Sequence, residues 1–159
     1  MSRSAGSLRE RKFMENVLRR REARENAFLA AFSATFGDVS LTEVLETNRE
    51  TEEHVVDAFG EQLLKLYYNH SAEVDDLIAE RLRGWTMNRL PRVTLAVLRL
   101  GVAELVFGQK KMPSVVINEA VELAKKYGGD EDYQFVNGLM GSVANDLHLV
   151  DDEEKETQE

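Results

Sequence analysis

Four arginines fall within six positions, in the segment Arg19-Arg-Arg-Glu-Ala-Arg-Glu-Asn-Ala27. A guanidinium stays charged and presents a planar fork of donors, so it suits phosphate oxygens and the faces of unpaired bases. On a helix, Arg20 and Arg24 stand four apart and Arg21 and Arg24 three apart, so they project from one side about a turn from each other. That spacing lets successive forks reach successive phosphates of a nucleic-acid strand. The same arginines could equally sit on an ordinary exposed helix, held by Glu22 and Glu25 in ion pairs. Spacing alone leaves both readings open.

Other chemistry is harder to place. His54, His70 and His148 are far apart and share no metal-ligand spacing with acids or with one another. With no cysteine there is no disulfide, thiolate metal site or cysteine nucleophile. Gly128-Gly129 reads as a helix stop rather than a phosphate loop, and no Gly-x-Ser-x-Gly elbow occurs. Carboxylates are plentiful in an acidic chain, so no pair stands out as a general acid and base. The expectation is binding without catalysis: no catalytic residue, no metal and no cofactor.

Charge is divided unevenly. The chain carries a formal net charge of −9, which at first argues against nucleic acid. Yet residues 1–24 hold eight basic and three acidic side chains, while residues 150–159 hold six acids and one lysine. Screening confines exposed charges to roughly 8–10 Å at physiological salt, so distribution matters more than the sum. A basic N-terminal extension over 1–18, a helical domain over 19–149 and an acidic disordered tail over 150–159 are expected. The longest apolar run, Val93 to Phe107, is broken by Arg99 and Glu104, and residues 1–16 are polar and charged. Neither a membrane span nor a secretory signal is expected, and the cytoplasm is the expected location.

The elements that must position these groups are helical. Ser7-Leu-Arg-Glu10 and Ser40-Leu-Thr-Glu43 have the form of capping boxes. Met14, Val17, Leu18, Phe28, Ala31 and Phe32 follow helical spacing, interrupted near Arg21 and Arg24. Further periodic runs cover Val55 to Tyr67 and Val74 to Leu82, with Ser71 as a cap for the second. Pro91 and Pro113 mark helix starts. Between them, Val93 to Phe107 is apolar nearly all round, as a central buried helix would be. Asp130-Glu-Asp132 opens a last helix carrying Phe135, Val136, Leu139, Met140, Val143 and Leu147. Alternating strand patterns are absent, so the chain is all-α with about seven helices.

Several of these segments resemble the NusB family of transcription antitermination factors. Arg20-Arg-Glu-Ala-Arg-Glu-Asn-Ala27 is similar to its arginine-rich opening. Leu90-Pro-Arg-Val-Thr-Leu-Ala-Val-Leu-Arg-Leu100 with Ala103-Glu-Leu105 resembles its central helix. Pro113 to Gly129, containing Val116-Ile-Asn-Glu-Ala-Val-Glu-Leu-Ala-Lys125, resembles the next, and Tyr133-Gln-Phe-Val-Asn-Gly138 its F-V-N-G region. The resemblance implies two perpendicular three-helix bundles. It implies binding of single-stranded RNA of the boxA type together with NusE, a ribosomal protein, and help for RNA polymerase in resisting termination during ribosomal RNA synthesis.

Carried over by position, Arg20, Arg21, Arg24 and Phe135 are the implied RNA contacts, and Phe32 and Glu104 the implied contacts with NusE. Phe135 competes with a core role, because it lies in an apolar helix. Glu104 is a lone acid on an apolar helix and needs a basic partner if buried. Phe32 stands where the family more often has tyrosine, and Leu29 and Thr94 where it has glutamine and aspartate. Asn118, Glu119 and Asn137 read as structural polar groups. The alternative, motivated by the net charge and these departures, is a protein-interaction or homodimer module of the same fold that has lost RNA binding.

Overall fold

A computed structural model describes residues 7–152, the side chains of 16–18 apart. Val17 and Leu18 of the first helical stripe, and 153–159 of the acidic segment, therefore lie outside the described side chains and residues.

Local chemistry sets each helix start. Ser7 and Glu10 form a reciprocal capping box: the Ser7 hydroxyl accepts from the Glu10 N–H, and the Glu10 carboxylate accepts from the Ser7 N–H. It opens α1, Leu8–Ala34, a helix of 27 residues and about 40 Å at 1.5 Å per residue. The Ser40 hydroxyl accepts from the Glu43 N–H at the start of α2, Leu41–Glu50. Asp57 does the same for Gly60 at α3, Ala58–Asn69. Ser71, expected as a cap, is instead the first residue of α4, Ser71–Ala79; His70 occupies the junction without a side-chain cap bond. The His70 ring stacks on Phe107, centroids 3.8 Å apart, which fixes the corner by packing. Gly84, at φ +77°, makes the turn that follows.

A short 3₁₀ turn at Met87–Arg89 leads into α5, Arg92–Phe107, then α6, Pro113–Tyr127, and α7, Asp132–Asp146. The described residues contain seven α-helices and no strand. Helices α1, α2 and α3 contact one another, as do α5, α6 and α7. Helix α5 also touches α1, α3 and α4. Its all-round apolar pattern has the expected consequence: Ala96, Val97, Leu98, Val102 and Ala103 are almost wholly buried. Each large apolar side chain so buried contributes about 1.5–3 kcal/mol relative to exposure. Its one internal arginine, Arg99, is met by Asp75 of α4 through two hydrogen bonds of 3.1 and 3.2 Å.

Helix α1 is divided along its length. Ala23, Ala27, Phe28 and Ala30 are buried, whereas Leu8, Phe13 and Met14 are exposed. Residues 8–15 thus form an exposed start to the same helix. Where α1 meets α3, Gly60 permits a close approach: a Cβ there would lie 3.2 Å from the Ala23 carbonyl oxygen and 3.0 Å from Val56 Cγ1. None of the described helices is long and apolar enough to cross a membrane.

Candidate nucleic-acid interface

An open groove of ≈ 1130 Å³ is bounded by α1, α3, the end of α5 and the start of α6. Arg20, Arg21 and Arg24 line it from α1, Phe59 from α3, Glu104 from α5 and Glu119 from α6. The close α1–α3 approach at Gly60 puts the neighbouring Phe59 ring beneath the arginines. The Arg20 guanidinium lies 3.8 Å from its centroid and that of Arg24 5.3 Å, within cation–π range.

The three arginines are held differently. Arg24 points into the molecule and meets Glu104 with both arms of its fork, Nε to Oε1 at 2.9 Å and Nη2 to Oε2 at 2.6 Å. Only 14% of the Arg24 side chain and 12% of that of Glu104 are exposed. Burial works against the Arg24 charge, but the hydrogen bonds and negative charge of Glu104 outweigh it and hold the guanidinium more firmly protonated than usual. Arg21 uses only Nε, donating to Glu119 Oε1 at 3.1 Å. Its side chain is 58% exposed while that of Glu119 is 8% exposed. Glu119 Oε2 has no hydrogen-bond partner among the described residues. Arg20 is exposed and rests on Phe59.

Of the residues singled out from sequence, Arg20, Arg21, Arg24 and Glu104 come together in this groove. Phe135 is 38% exposed on α7 and is not among the groove-lining residues. Phe32 is half-buried on α1, between Phe28 and Phe36 with centroids 6.2 and 5.3 Å away, and also lies outside the groove. The basic partner that Glu104 needs is supplied by Arg24 of the same chain, so that physical reason for an intermolecular partner is met internally. Leu29 packs half-buried against the core. Thr94 is 1% exposed, and its hydroxyl has no hydrogen-bond partner among the described residues.

Phe59, Lys65, Lys110 and the pairing role of Glu119 were not read from sequence. Phe59 is indistinguishable from core residues in a helical apolar pattern. Lys65 stands alone in the sequence, and Lys110 belongs only to the pair Lys110-Lys111, too short a run to mark a site.

Residues 21–145 match the model of the NusB family. The transcription antitermination protein NusB of Bacillus velezensis is 35% identical over 130 residues, which cover 82% of this chain and 98% of that protein. Among solved structures, T. maritima NusB superposes with a TM-score of 0.70 at 34% identity, covering 79% of this chain and 90% of that one. The chain is also similar to a crystal structure of antitermination factors NusB and NusE in complex with dsRNA, with a TM-score of 0.64 at 29% identity over 79% of this chain and 96% of the matched one. The matched family segment starts at Arg21, so the turns of α1 from Leu8 to Arg20 precede it. With four fifths of its length matched in sequence and in fold, this chain belongs to the NusB family.

Proposed function

We propose that this chain is a non-catalytic, cytoplasmic transcription antitermination factor. It binds boxA-type single-stranded RNA together with NusE and helps RNA polymerase resist termination during ribosomal RNA synthesis. The observation that carries the RNA reading is the state of Arg21. Glu119 fixes its Nε, yet 58% of the side chain faces solvent. A pre-positioned guanidinium with open donors suits a phosphate. Arg20, stacked on Phe59, provides a second cation beside it. Arg24 backs these two cations from within the wall, its own charge balanced by Glu104 across two hydrogen bonds. Phe135 offers an exposed ring on α7 for stacking a splayed base. Toward NusE, Phe32 presents the open part of its ring, and Glu104 acts jointly with Arg24.

An electrophoretic shift titration with boxA RNA, as single strand and as duplex, with and without NusE, tests the reading. Weak, salt-sensitive binding of the single strand alone and tighter binding with NusE are expected. Replacing Arg21 by alanine should flatten the logarithmic salt slope by about 0.7, the value for one single-strand phosphate contact. Absence of binding in every arm at low salt would refute it. The exposure of Leu8, Phe13 and Met14 on α1 favours one second reading, a homodimer without RNA affinity; a dimer in sedimentation that binds no RNA would establish it instead.

A further inference from the structure

The C-terminal segment is fastened at the edge of the groove. The Asp151 carboxylate accepts from the Ser114 N–H at 3.1 Å and from the Ser114 hydroxyl at 2.6 Å. The Asp152 carboxylate accepts from the Lys111 N–H, and the Asp152 N–H donates to the Lys111 carbonyl, both at 2.8 Å. Lys110 and Ser114, on either side of these contacts, line the groove. Asp152 is therefore anchored beside the rim.

Beyond it the sequence continues Glu153-Glu-Lys-Glu-Thr-Gln-Glu159, four acids and one lysine. Seven extended residues reach about 23–25 Å. The charges within the groove are arranged to receive such a segment. Its acids, Glu104 and Glu119, are buried and already paired with Arg24 and Arg21. Arg20, Arg21, Lys65 and Lys110 are the exposed cations that line it, Arg21 with Nε held by Glu119 and Lys65 in an exposed pair with Glu61 at 3.5 Å.

We propose that residues 153–159 dock in this groove as an internal polyanion and compete with RNA for the same cations. Exposed ion pairs are individually weak. A tether from Asp152 compensates by holding the segment at an effective concentration on the order of millimolar. The result is an internal competitor that RNA displaces, lowering by one common factor the affinity of every strand that uses these cations. The docking itself rests only on geometry and charge; the competition rests on the RNA reading above.

The chain has no cysteine, so Thr157→Cys gives one site for a nitroxide label on the full-length protein. Broadening of the amide signals around Arg20, Arg21, Lys65 and Lys110 is expected, with recovery in about 1 M salt, where the screening length falls to about 3 Å. No broadening overturns the docking. Broadening that appears only between labelled and unlabelled copies places the segment on a neighbour and also overturns it.

In parallel, deleting 153–159, or converting Glu153, Glu154, Glu156 and Glu159 to glutamine, should raise affinity for single-stranded RNA about fivefold at low salt. The gain should vanish at high salt. Unchanged affinity in a protein that does bind RNA refutes the competition. Persistent broadening in a protein that binds no RNA in any form leaves the docking standing and refutes the RNA reading alone.

Discussion

Arg21 and Arg24 lie one turn apart on α1, and each reaches across to a glutamate of the other helical half. Arg24 and Glu104 are both withdrawn from solvent and joined through two hydrogen bonds. In the second pair only the acid is withdrawn: Glu119 is 8% exposed and Arg21 58%. The first pair commits the Nε and Nη2 donors of Arg24 and fastens α1 to α5. The second leaves most of a guanidinium facing the groove. Two arginines of one motif thus divide the work, one holding the wall and the other presenting it.

The contrast is tested most severely by removing Glu104. Glu104→Ala leaves the largely buried Arg24 charge without its two-bond partner, and a loss of about 3 kcal/mol is expected, the lower end for breaking a buried pair. Urea unfolding measures it. A loss below about 1 kcal/mol would mean that the pair behaves like a surface bridge, and the distinction between the two arginines would fail.

Arg21→Ala should have a smaller effect on stability, about 1–2 kcal/mol, because the exposed arginine is screened and the cost comes from the buried Glu119 it leaves behind. Adding Glu119→Gln removes that stranded charge. The double variant should regain most of the stability but none of the RNA affinity. If stability and affinity return together, Arg21 acts by supporting the fold and not by touching RNA.

The two pairs also show how far the sequence can be read. Helices were legible because capping and periodicity are local: Ser7 with Glu10, Ser40 with Glu43, and prolines at 91 and 113 each signal within one turn. The burial of α5 followed from its apolar composition. The arginine cluster was equally visible, but the fate of each arginine was not. Arg24 meets a residue 80 positions away and Arg21 one 98 away, and no local pattern encodes such partners. Glu104 showed the limit clearly: a lone acid on an apolar helix signals that a cation must be near, without saying whether the cation belongs to this chain. Phe59 was hidden for a different reason, since a ring beneath a guanidinium and a ring in the core satisfy the same helical spacing. The Ser71 cap failed because the His70–Phe107 stack, a tertiary contact, fixes that corner.

The mildest test concerns the next acid along the same helix. Glu25 accepts a hydrogen bond from Lys126 Nζ at 2.6 Å and another from the Tyr127 hydroxyl, tying α1 to the end of α6. The bond from Lys126, then that from Tyr127, holds the Glu25 carboxyl below its ordinary range, against the opposing effect of partial burial. A carboxyl depressed in the folded state stabilises the fold fully above its unfolded value, and that contribution is lost as pH falls through the folded value. Glu25→Gln should therefore lower stability at neutral pH by less than either preceding change. The difference from the parent should shrink to nothing once the medium is acid enough to protonate the parent's carboxyl. Denaturant titrations of both proteins from neutral pH down into the carboxylate range would follow it. A difference that does not vary with pH would assign the contact to packing, and α1 would then be joined to the second helical half by charge at Arg21 and Arg24 but not at Glu25.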